Sequence, residues 1–324
     1  MGQRVLLAGI VVVGTPIALY AWLWLAEQVE RVTPRRFRVP VRAWLWLAPA
    51  AVLIGTFLIW PLANTGWLSL HGADGRSWAG PANLDWLIRS SEVHAALRNN
   101  LLWLILLVGG CLALGLLVAV LTDSVRYEGM AKAVVVAPTA ISFVCGAIIW
   151  RFMFDYQAPG LPQIGTLNAA WADALDRTPV AWLVDTRTNN YALITVGLWM
   201  TLGFATVIIS AALKGVPAEL TDAARVDGAS RWQALRYVVL PQLQPTLVVV
   251  ATLVAIMALK AFDIVYVMTN GNYGTDVIAN LLYSELFLAQ NSGRASAIAL
   301  LLTALAIPMF LLNAYAQRRE TSRM

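Results

Sequence analysis

Long apolar runs without charged residues constrain this chain more than any other feature. Seven such runs cover residues 5–26, 44–63, 101–121, 133–150, 191–213, 245–259 and 295–315. A helix needs about 20 apolar residues to cross the hydrocarbon core of a bilayer, and every backbone polar group there must be bonded internally. The sequence therefore predicts an all-α integral membrane protein with seven transmembrane helices. Lys260 and Asp263 follow the sixth run, so this span can begin near Leu240 or end after Phe262.

The composition excludes soluble proteins. Apolar residues make up 59% of the 324 residues and charged residues only 13%, whereas a soluble domain has about 25% charged residues. Both cysteines, Cys111 and Cys145, lie inside apolar runs, which argues against a disulfide framework or a zinc site and favours small core residues. The basic residues behind the net charge of +5 are dispersed among the ends of the runs, so the sequence does not predict nucleic-acid binding.

The distribution of lysine and arginine between the loops predicts the orientation. One set of alternate loops holds 14 basic residues, including Arg323 in the tail, and the other set holds 8. Because cytoplasmic loops are rich in Lys and Arg, loop 214–241 and the C-terminal tail are predicted inside, and the N-terminus and loops 64–100 and 151–190 outside. Seven tryptophans near span ends are predicted to anchor at the membrane interface: Trp22, Trp24, Trp44, Trp46, Trp60, Trp103 and Trp150.

The first run resembles a signal peptide in that Arg4 precedes an apolar stretch. It is too long for the apolar region of a signal peptide, and no small-x-small cleavage site precedes Glu27. We therefore predict that it is a retained helix, additional to a core of six.

Missing residue types exclude several enzyme classes. None of the three lysines, Lys132, Lys214 and Lys260, follows a glycine, so the chain has no G-x-x-x-x-G-K-[ST] phosphate loop for ATP hydrolysis. The two histidines, His71 and His94, both lie in loop 64–100, which leaves neither an intramembrane Ser/His pair nor an H-E-x-x-H zinc helix. The sequence predicts a protein that is not an enzyme and holds no metal.

Loop 214–241 carries signals for two short helices. Pro217 suits the first turn of a helix, and Gly228 can adopt the left-handed conformation that ends one. Ser230 followed by Gln233 is a capping box that starts a second helix. Helices this short are unstable alone, so the predicted helical hairpin needs a surface to pack on. That surface is either a partner protein or, for an interfacial amphipathic helix, the lipid headgroups.

The spacing within this loop is specific. D-A-A-x-x-x-G runs from Asp222 to Gly228, and after nine further residues V-x-L-P runs from Val238 to Pro241. This pattern resembles the E-A-A-x-x-x-G-x(9)-I-x-L-P loop of the permease subunits of bacterial ABC importers. Over residues 44–319, the chain resembles the maltose-type, binding-protein-dependent sugar permeases. Asp222 stands where that family usually has Glu, which shortens the reach of the acid by one methylene.

Two further segments narrow the resemblance. Ala140–Tyr156 and Leu259–Tyr283 are similar to the first permease subunit of alpha-glucoside importers, which also carry an extra N-terminal helix. The resemblance implies residues 1–43 as that extra helix with a basic linker, 44–319 as the permease domain and 320–324 as a cytoplasmic tail. The residues that it implies for coupling to an ATPase are Asp222, Ala223, Ala224, Gly228, Leu240 and Pro241.

The resemblance also implies the partners. A permease of this kind forms half of a heterodimeric sugar path in the bacterial cytoplasmic membrane, together with a second permease, two copies of an ATPase and an extracytoplasmic sugar-binding protein. ATP and Mg²⁺ are bound by the ATPase, so no cofactor is expected on this chain. The alternative is an ion-coupled secondary transporter, which needs ionisable residues at the bilayer midplane and inverted repeats, and the sequence indicates neither.

Candidate residues for the sugar path come from two sources. Lys260 and Asp263, three residues apart, are predicted to share one helical face and neutralise each other, beside Phe262 as a stacking ring. The alternative is a snorkelling pair at the external interface. The resemblance adds five positions in the fifth span and two in the fourth, with Ser142 nearby, and ordinary helix packing is the alternative for each. These are Gly197, Trp199, Met200, Thr201 and Phe204, then Thr139 and Gly146.

Overall fold

The computed structural model describes residues 2–123 and 125–321, and within these ranges the extended elements are helices and no strand occurs. This confirms the all-α class. In chain order the helices are α1 (Gly2–Val32), α2 (Arg36–Leu68), α3 (Ala82–Arg89), α4 (Ser91–Thr122), α5 (Glu128–Ala140), α6 (Phe143–Met153), α7 (Thr166–Asn168, continued by Ala169–Ala174), α8 (Asn189–Lys214), α9 (Ala218–Val226), α10 (Arg231–Ala234, Leu235–Val239 and Leu240–Leu259 without a break), α11 (Asp263–Met268), α12 (Ile278–Leu288) and α13 (Ser292–Thr321).

Five helical segments in the described part of the chain are long and apolar enough to cross a membrane, and a sixth is added if α5 and α6 count as one broken span. Helix α1 covers the first predicted run and is not among the five, so the predicted count of seven is not confirmed. Of the predicted tail, residues 322–324, with Arg323, lie outside the described residues.

Contacts divide the chain into two compact units, Met1–Thr65 and Gly66–Met324. In the first unit, the indole of Trp22 donates a hydrogen bond to the carbonyl of Leu45 at 3.1 Å, which joins α1 to α2. In the second unit, α4 packs along α8, where small residues allow close approach. The Cβ of an alanine in place of Gly115 would lie 3.3 Å from the Ala205 side chain.

The fourth predicted span is wrong as a single helix, because α5 and α6 meet at 100°. The chain tightens into a 3₁₀ turn around Pro138 and then becomes extended at Ile141 and Ser142. The Ser142 hydroxyl accepts a hydrogen bond from the Cys145 N–H at 3.2 Å and so starts α6 as a new helix. Cys111 is buried as predicted, whereas Cys145 is exposed on α6, so its interpretation as a core residue is wrong.

Two membrane-length helices contain a π-helical turn two residues before a proline. In α2 the turn Gly55–Ile59 precedes Pro61, and in α10 the turn Leu235–Val239 precedes Pro241. A proline inside a helix lacks the N–H and its ring clashes with the carbonyl four residues earlier, and a wider turn relieves that clash. Helix α10 therefore continues without a break through Pro241.

Candidate coupling loop and substrate cavity

The first arm of the predicted hairpin is α9, and its end has the predicted geometry. Gly228 adopts φ +83°, a left-handed conformation that glycine takes without strain. The N–H of Ala229 donates to the Ala224 carbonyl at 2.9 Å, and the N–H of Gly228 donates to the Arg225 carbonyl at 3.0 Å. These two bonds form a Schellman motif, which satisfies carbonyls that would otherwise be left unpaired at the helix end.

The second arm starts with the predicted capping box. The Gln233 N–H donates to the Ser230 hydroxyl at 3.3 Å, and the Ser230 N–H donates to the Gln233 side-chain oxygen at 2.7 Å. Sequence reasoning was wrong, however, in making this arm a separate short helix. It is the first turn of α10, so the long helix that enters the bundle begins inside the loop.

The hairpin presents large apolar side chains to its surroundings. Val226 is 87% exposed, Trp232 is 70% exposed and Tyr237 is 73% exposed. The Asp222 carboxylate forms a 3.0 Å ion pair with Arg225, and both side chains are well exposed. Of the predicted coupling residues, four are exposed and two are half-buried: Asp222, Ala223, Gly228 and Pro241, then Ala224 and Leu240. Exposed aromatic rings beside a paired charge are typical of a protein contact surface.

A cavity of about 290 Å³ lies in the second unit, between α4, α6, α8 and the break that separates α10 from α11. Five predicted sugar-path residues line it, namely Gly197, Thr201, Lys260, Phe262 and Asp263. Sequence reasoning missed the other seven, which are Trp103, Leu107, Phe143, Ile256, Met257, Ala261 and Ile264. The cavity is thus largely apolar, with a few polar side chains among its lining residues, as small-molecule sites usually are.

The wall formed by α4 and α8 depends on close packing. A Cβ at Gly197 would lie 2.8 Å from the Trp103 ring, so any larger residue there would push the indole away from this helix. The Thr201 hydroxyl donates to the Gly197 carbonyl at 2.7 Å and lies 3.2 Å from the Cys111 sulfur. Thr201 is therefore already hydrogen-bonded without a ligand.

The opposite wall is the break between α10 and α11. Helix α10 ends at Leu259, and α11 begins at Asp263. The predicted pairing of Lys260 with Asp263 on one helical face is wrong, because the helix is interrupted between them and no ion pair joins them in the described part of the chain. An exposed ammonium and a half-buried carboxylate are therefore both available at the cavity.

Asn100, on α4, holds this break in place. Its side-chain amide donates to the carbonyls of Ala258 and Leu259 at 3.3 and 3.5 Å, and its side-chain oxygen accepts from the Ile278 N–H at 2.8 Å. The last carbonyls of a helix have no partner within it, so a buried amide from another helix satisfies them here. Asn100 was not predicted, although the pair Asn99–Asn100 directly before an apolar run is a visible signal.

Trp103 is a residue whose position the sequence analysis predicted wrongly. It was predicted at the membrane interface, but it is only 1% exposed and packs in the core. Its indole Nε1–H finds no hydrogen-bond acceptor among the described residues. Because buried polar groups are normally paired, an unpaired donor in a cavity wall is a candidate for ligand contact.

Six predicted path residues do not line the cavity in the described structure. Gly146 packs against Met200, since a Cβ there would lie 2.5 Å from the Met200 sulfur. Thr139 donates to the Val136 carbonyl at 2.7 Å. Trp199 meets Trp150 edge to face, with ring centroids 5.6 Å apart. Ser142 caps α6 and Phe204 is half-buried, so their role in sugar transport stays a prediction.

Comparison with known proteins agrees with this architecture. The family described as "Binding-protein-dependent transport system inner membrane component" matches residues 101–322. The osmoprotective compounds uptake permease protein GgtC of Synechocystis is 44% identical over 82% of this chain and 95% of its own length. The alpha-glucoside transport system permease protein AglF of Rhizobium meliloti is 40% identical over 90% of this chain and 87% of its own.

A solved structure supports the fold. A bacterial ABC transporter involved in the import of the acidic polysaccharide alginate superposes with a TM-score of 0.74, at 23% identity, over 88% of this chain and 99% of that chain. The family match covers more than half of the chain, and relatives above 30% identity cover most of it. This chain therefore belongs to the family of inner membrane components of binding-protein-dependent transport systems.

Proposed function

We propose that this chain is one permease subunit of an ATP-driven importer of neutral alpha-glucosides such as maltose, sucrose or trehalose. The cavity at the break between α10 and α11 is the observation that carries the proposal. Relatives are named for the same class of compound, including AglF and the trehalose/maltose transport system permease protein MalF of Thermococcus litoralis, which is 29% identical over 79% of this chain and 86% of its own length.

The chemistry of the cavity suits an uncharged sugar. Lys260 offers donors and Asp263 offers acceptors for hydroxyl groups, and together they add no net charge. Phe262 offers a ring for stacking, and the Trp103 N–H lacks a partner in the described structure. The volume of about 290 Å³ is near the lower end of small-molecule pockets, which span roughly 300–1,000 Å³.

The hairpin is the proposed coupling element. Its exposed rings, Trp232 and Tyr237, would pack on an ATPase subunit, which binds ATP and Mg²⁺ in place of this chain. A second permease would complete the path, and an extracytoplasmic binding protein would deliver the sugar. The chain does no covalent chemistry. Closure of the ATPase pair on ATP would move the hairpins and open the path by rigid-body alternation.

The proposed orientation places the N-terminus outside and the C-terminus in the cytoplasm, with residues 1–43 as an additional anchor before the permease domain 44–319. The excess of basic residues in loop 214–241 and its alternate loops supports this orientation. A tag before Gly2 should react with a membrane-impermeant reagent in spheroplasts. A protected tag would reverse the orientation.

Uptake by the copurified complex in proteoliposomes tests the function. Labelled maltose, sucrose or trehalose should accumulate only with the binding protein and internal ATP, and ionophores that collapse proton and sodium gradients should leave the rate unchanged. A sugar with carboxylate groups serves as the control for charge. Uptake that follows an ion gradient without ATP would instead identify a secondary transporter.

A further inference from the structure

Four aromatic rings form a continuous row of contacts that starts at the cavity. Phe262, in the cavity wall, stacks on Tyr266 with ring centroids 5.1 Å apart and an angle of 22° between the planes. Tyr283 contacts both rings, at 5.3 Å and 5.0 Å, and Phe287 contacts Tyr283 at 4.9 Å. We call these four side chains the aromatic track.

The aromatic track is partly exposed at the surface of this chain. Tyr266 is 38% exposed and Phe287 is 60% exposed, and none of the four rings belongs to the described apolar core clusters. Tyr283 and Phe287 are one helical turn apart, so their rings lie on one side of α12. The hydroxyls of Tyr266 and Tyr283 lie 3.4 Å apart, which adds polar groups to the edge of the stack. Stacked rings edged by hydroxyls match the apolar faces and polar rims of pyranose rings.

The segment that joins α11 to α12 fixes the aromatic track at the end of the bundle away from the hairpin. Asn99 donates to the carbonyls of Gly274 and Asp276 at 2.8 and 2.7 Å, and Asn189 donates to the Tyr273 carbonyl at 2.8 Å. Asn189 begins α8, whose other end leads into the hairpin. In the proposed orientation, this end of the bundle is the external one.

We propose that the aromatic track is a second sugar subsite, which binds the glucosyl units of a neutral oligosaccharide that extend beyond the cavity. This inference rests on the proposed function and deepens it, because it specifies how the length of the substrate is recognised. A cavity of about 290 Å³ leaves the far end of a longer sugar outside, and the track begins at Phe262, which lines the cavity. Rigid positioning by buried asparagines keeps the rings ready for stacking.

Uptake of maltose and maltotetraose by the reconstituted complex tests the inference. The variants are Tyr283→Ala and Phe287→Ala, with Tyr283→Phe as the conservative partner and Phe152→Ala as the control for an exposed ring of α6 outside the track. Loss of one aromatic contact should raise the KM for maltotetraose relative to that for maltose by about 2- to 10-fold. Tyr283→Phe should keep most of the wild-type ratio, and Phe152→Ala should not change it.

Several outcomes would overturn the inference. Equal changes in the KM for maltose and for maltotetraose, or no change in either KM, would show that the rings do not distinguish sugars by length. Loss of the second permease on copurification of Phe287→Ala would make the aromatic track a subunit contact. Variants with normal uptake but altered extraction by detergent would place it against lipid. A wild-type complex that transports no alpha-glucoside would refute the proposed function itself, which separates that failure from the others.

Discussion

The hairpin is held by contacts between residues close in the sequence, whereas the cavity is held by contacts between residues far apart in the sequence. In the hairpin, the bonds that fix the turn join residues at most five positions apart, such as Ala229 with Ala224 and Ser230 with Gln233. In the cavity, Asn100 bonds to Ala258, more than 150 positions away, and Trp103 packs on Gly197. The hairpin is therefore specified locally, whereas the cavity exists only once four parts of the chain have assembled.

The two regions therefore also differ in how much they depend on a partner protein. The hydrogen bonds that fix the turn join residues of the hairpin itself, but the apolar side chains of Val226, Trp232 and Tyr237 are largely exposed. We therefore expect a partner protein to provide the packing contacts for these side chains. The cavity is lined by close-packed side chains of this chain, so its shape responds to single changes of volume in its walls. A substitution that alters the backbone conformation should disrupt the hairpin, and a substitution that alters side-chain packing should disrupt the cavity.

The largest effect is expected from Gly228→Val in the hairpin. A branched side chain at φ +83° costs about 1–2 kcal/mol or more, and the Schellman turn that joins the two arms should be lost. No atom of the described residues lies within 4 Å of an added Cβ, so within this chain the substitution acts on the backbone conformation. We expect the binding protein and sugar to lose most of their stimulation of ATP hydrolysis, measured in proteoliposomes.

Gly228→Asn is the matched control for that variant. Asparagine tolerates the left-handed region, so it should keep the turn and most of the stimulation. Normal membrane insertion of both variants is required. Full stimulation with valine at position 228 would mean that the turn does not transmit the signal.

A smaller effect is expected from Gly197→Ala in the cavity wall. The added Cβ would lie 2.8 Å from the Trp103 ring, and overpacking of this kind costs about 1–3 kcal/mol. The indole must shift and change the shape of the cavity, so we expect the KM for alpha-glucosides to rise by about tenfold. Coupling should survive, because Gly197 lies near the far end of α8 and the hairpin residues are unchanged.

Gly109→Ala controls for the loss of a helical glycine. Among the residues that the structure describes, none has an atom within 4 Å of an added Cβ at Gly109, and alanine favours the helix, so uptake should match the wild type. An equal loss of uptake in both variants would contradict a specific role for the contact between Gly197 and Trp103.

Sequence alone predicts the hairpin well because its signals are local. Pro217, Gly228, Ser230 and Gln233 specify helix ends through their own backbone and side-chain chemistry, and the structure has the predicted cap at Gly228 and the predicted box at Ser230. The continuation of the second arm into α10 was missed. A proline at 241 indicates a boundary by rule, and only the π-helical turn before it shows that the helix continues.

The cavity was only partly predictable. Residue types and family resemblance indicated Gly197, Thr201 and the segment around Phe262, but periodicity cannot show that a helix breaks between Lys260 and Asp263. Asn100 and Trp103 act through partners far along the chain, and no local pattern specifies those partners. The aromatic packing of Trp199 likewise depends on Trp150, from another helix.

The smallest effect concerns coupling between Lys260 and Asp263, and it extends the comparison to the charges of the cavity. If Lys260 and Asp263 neutralised each other, Asp263→Asn alone would lower kcat/KM for uptake more than the double change with Lys260→Gln. The single change would leave the Lys260 charge without a partner. The two side chains form no ion pair in the described structure, and a break lies between them. We therefore expect their effects on kcat/KM for uptake to add within about 0.5 kcal/mol, or roughly twofold. Rescue of Asp263→Asn by Lys260→Gln would show instead that the pair forms in the membrane, and that the charges of the cavity are linked as locally as the bonds of the hairpin.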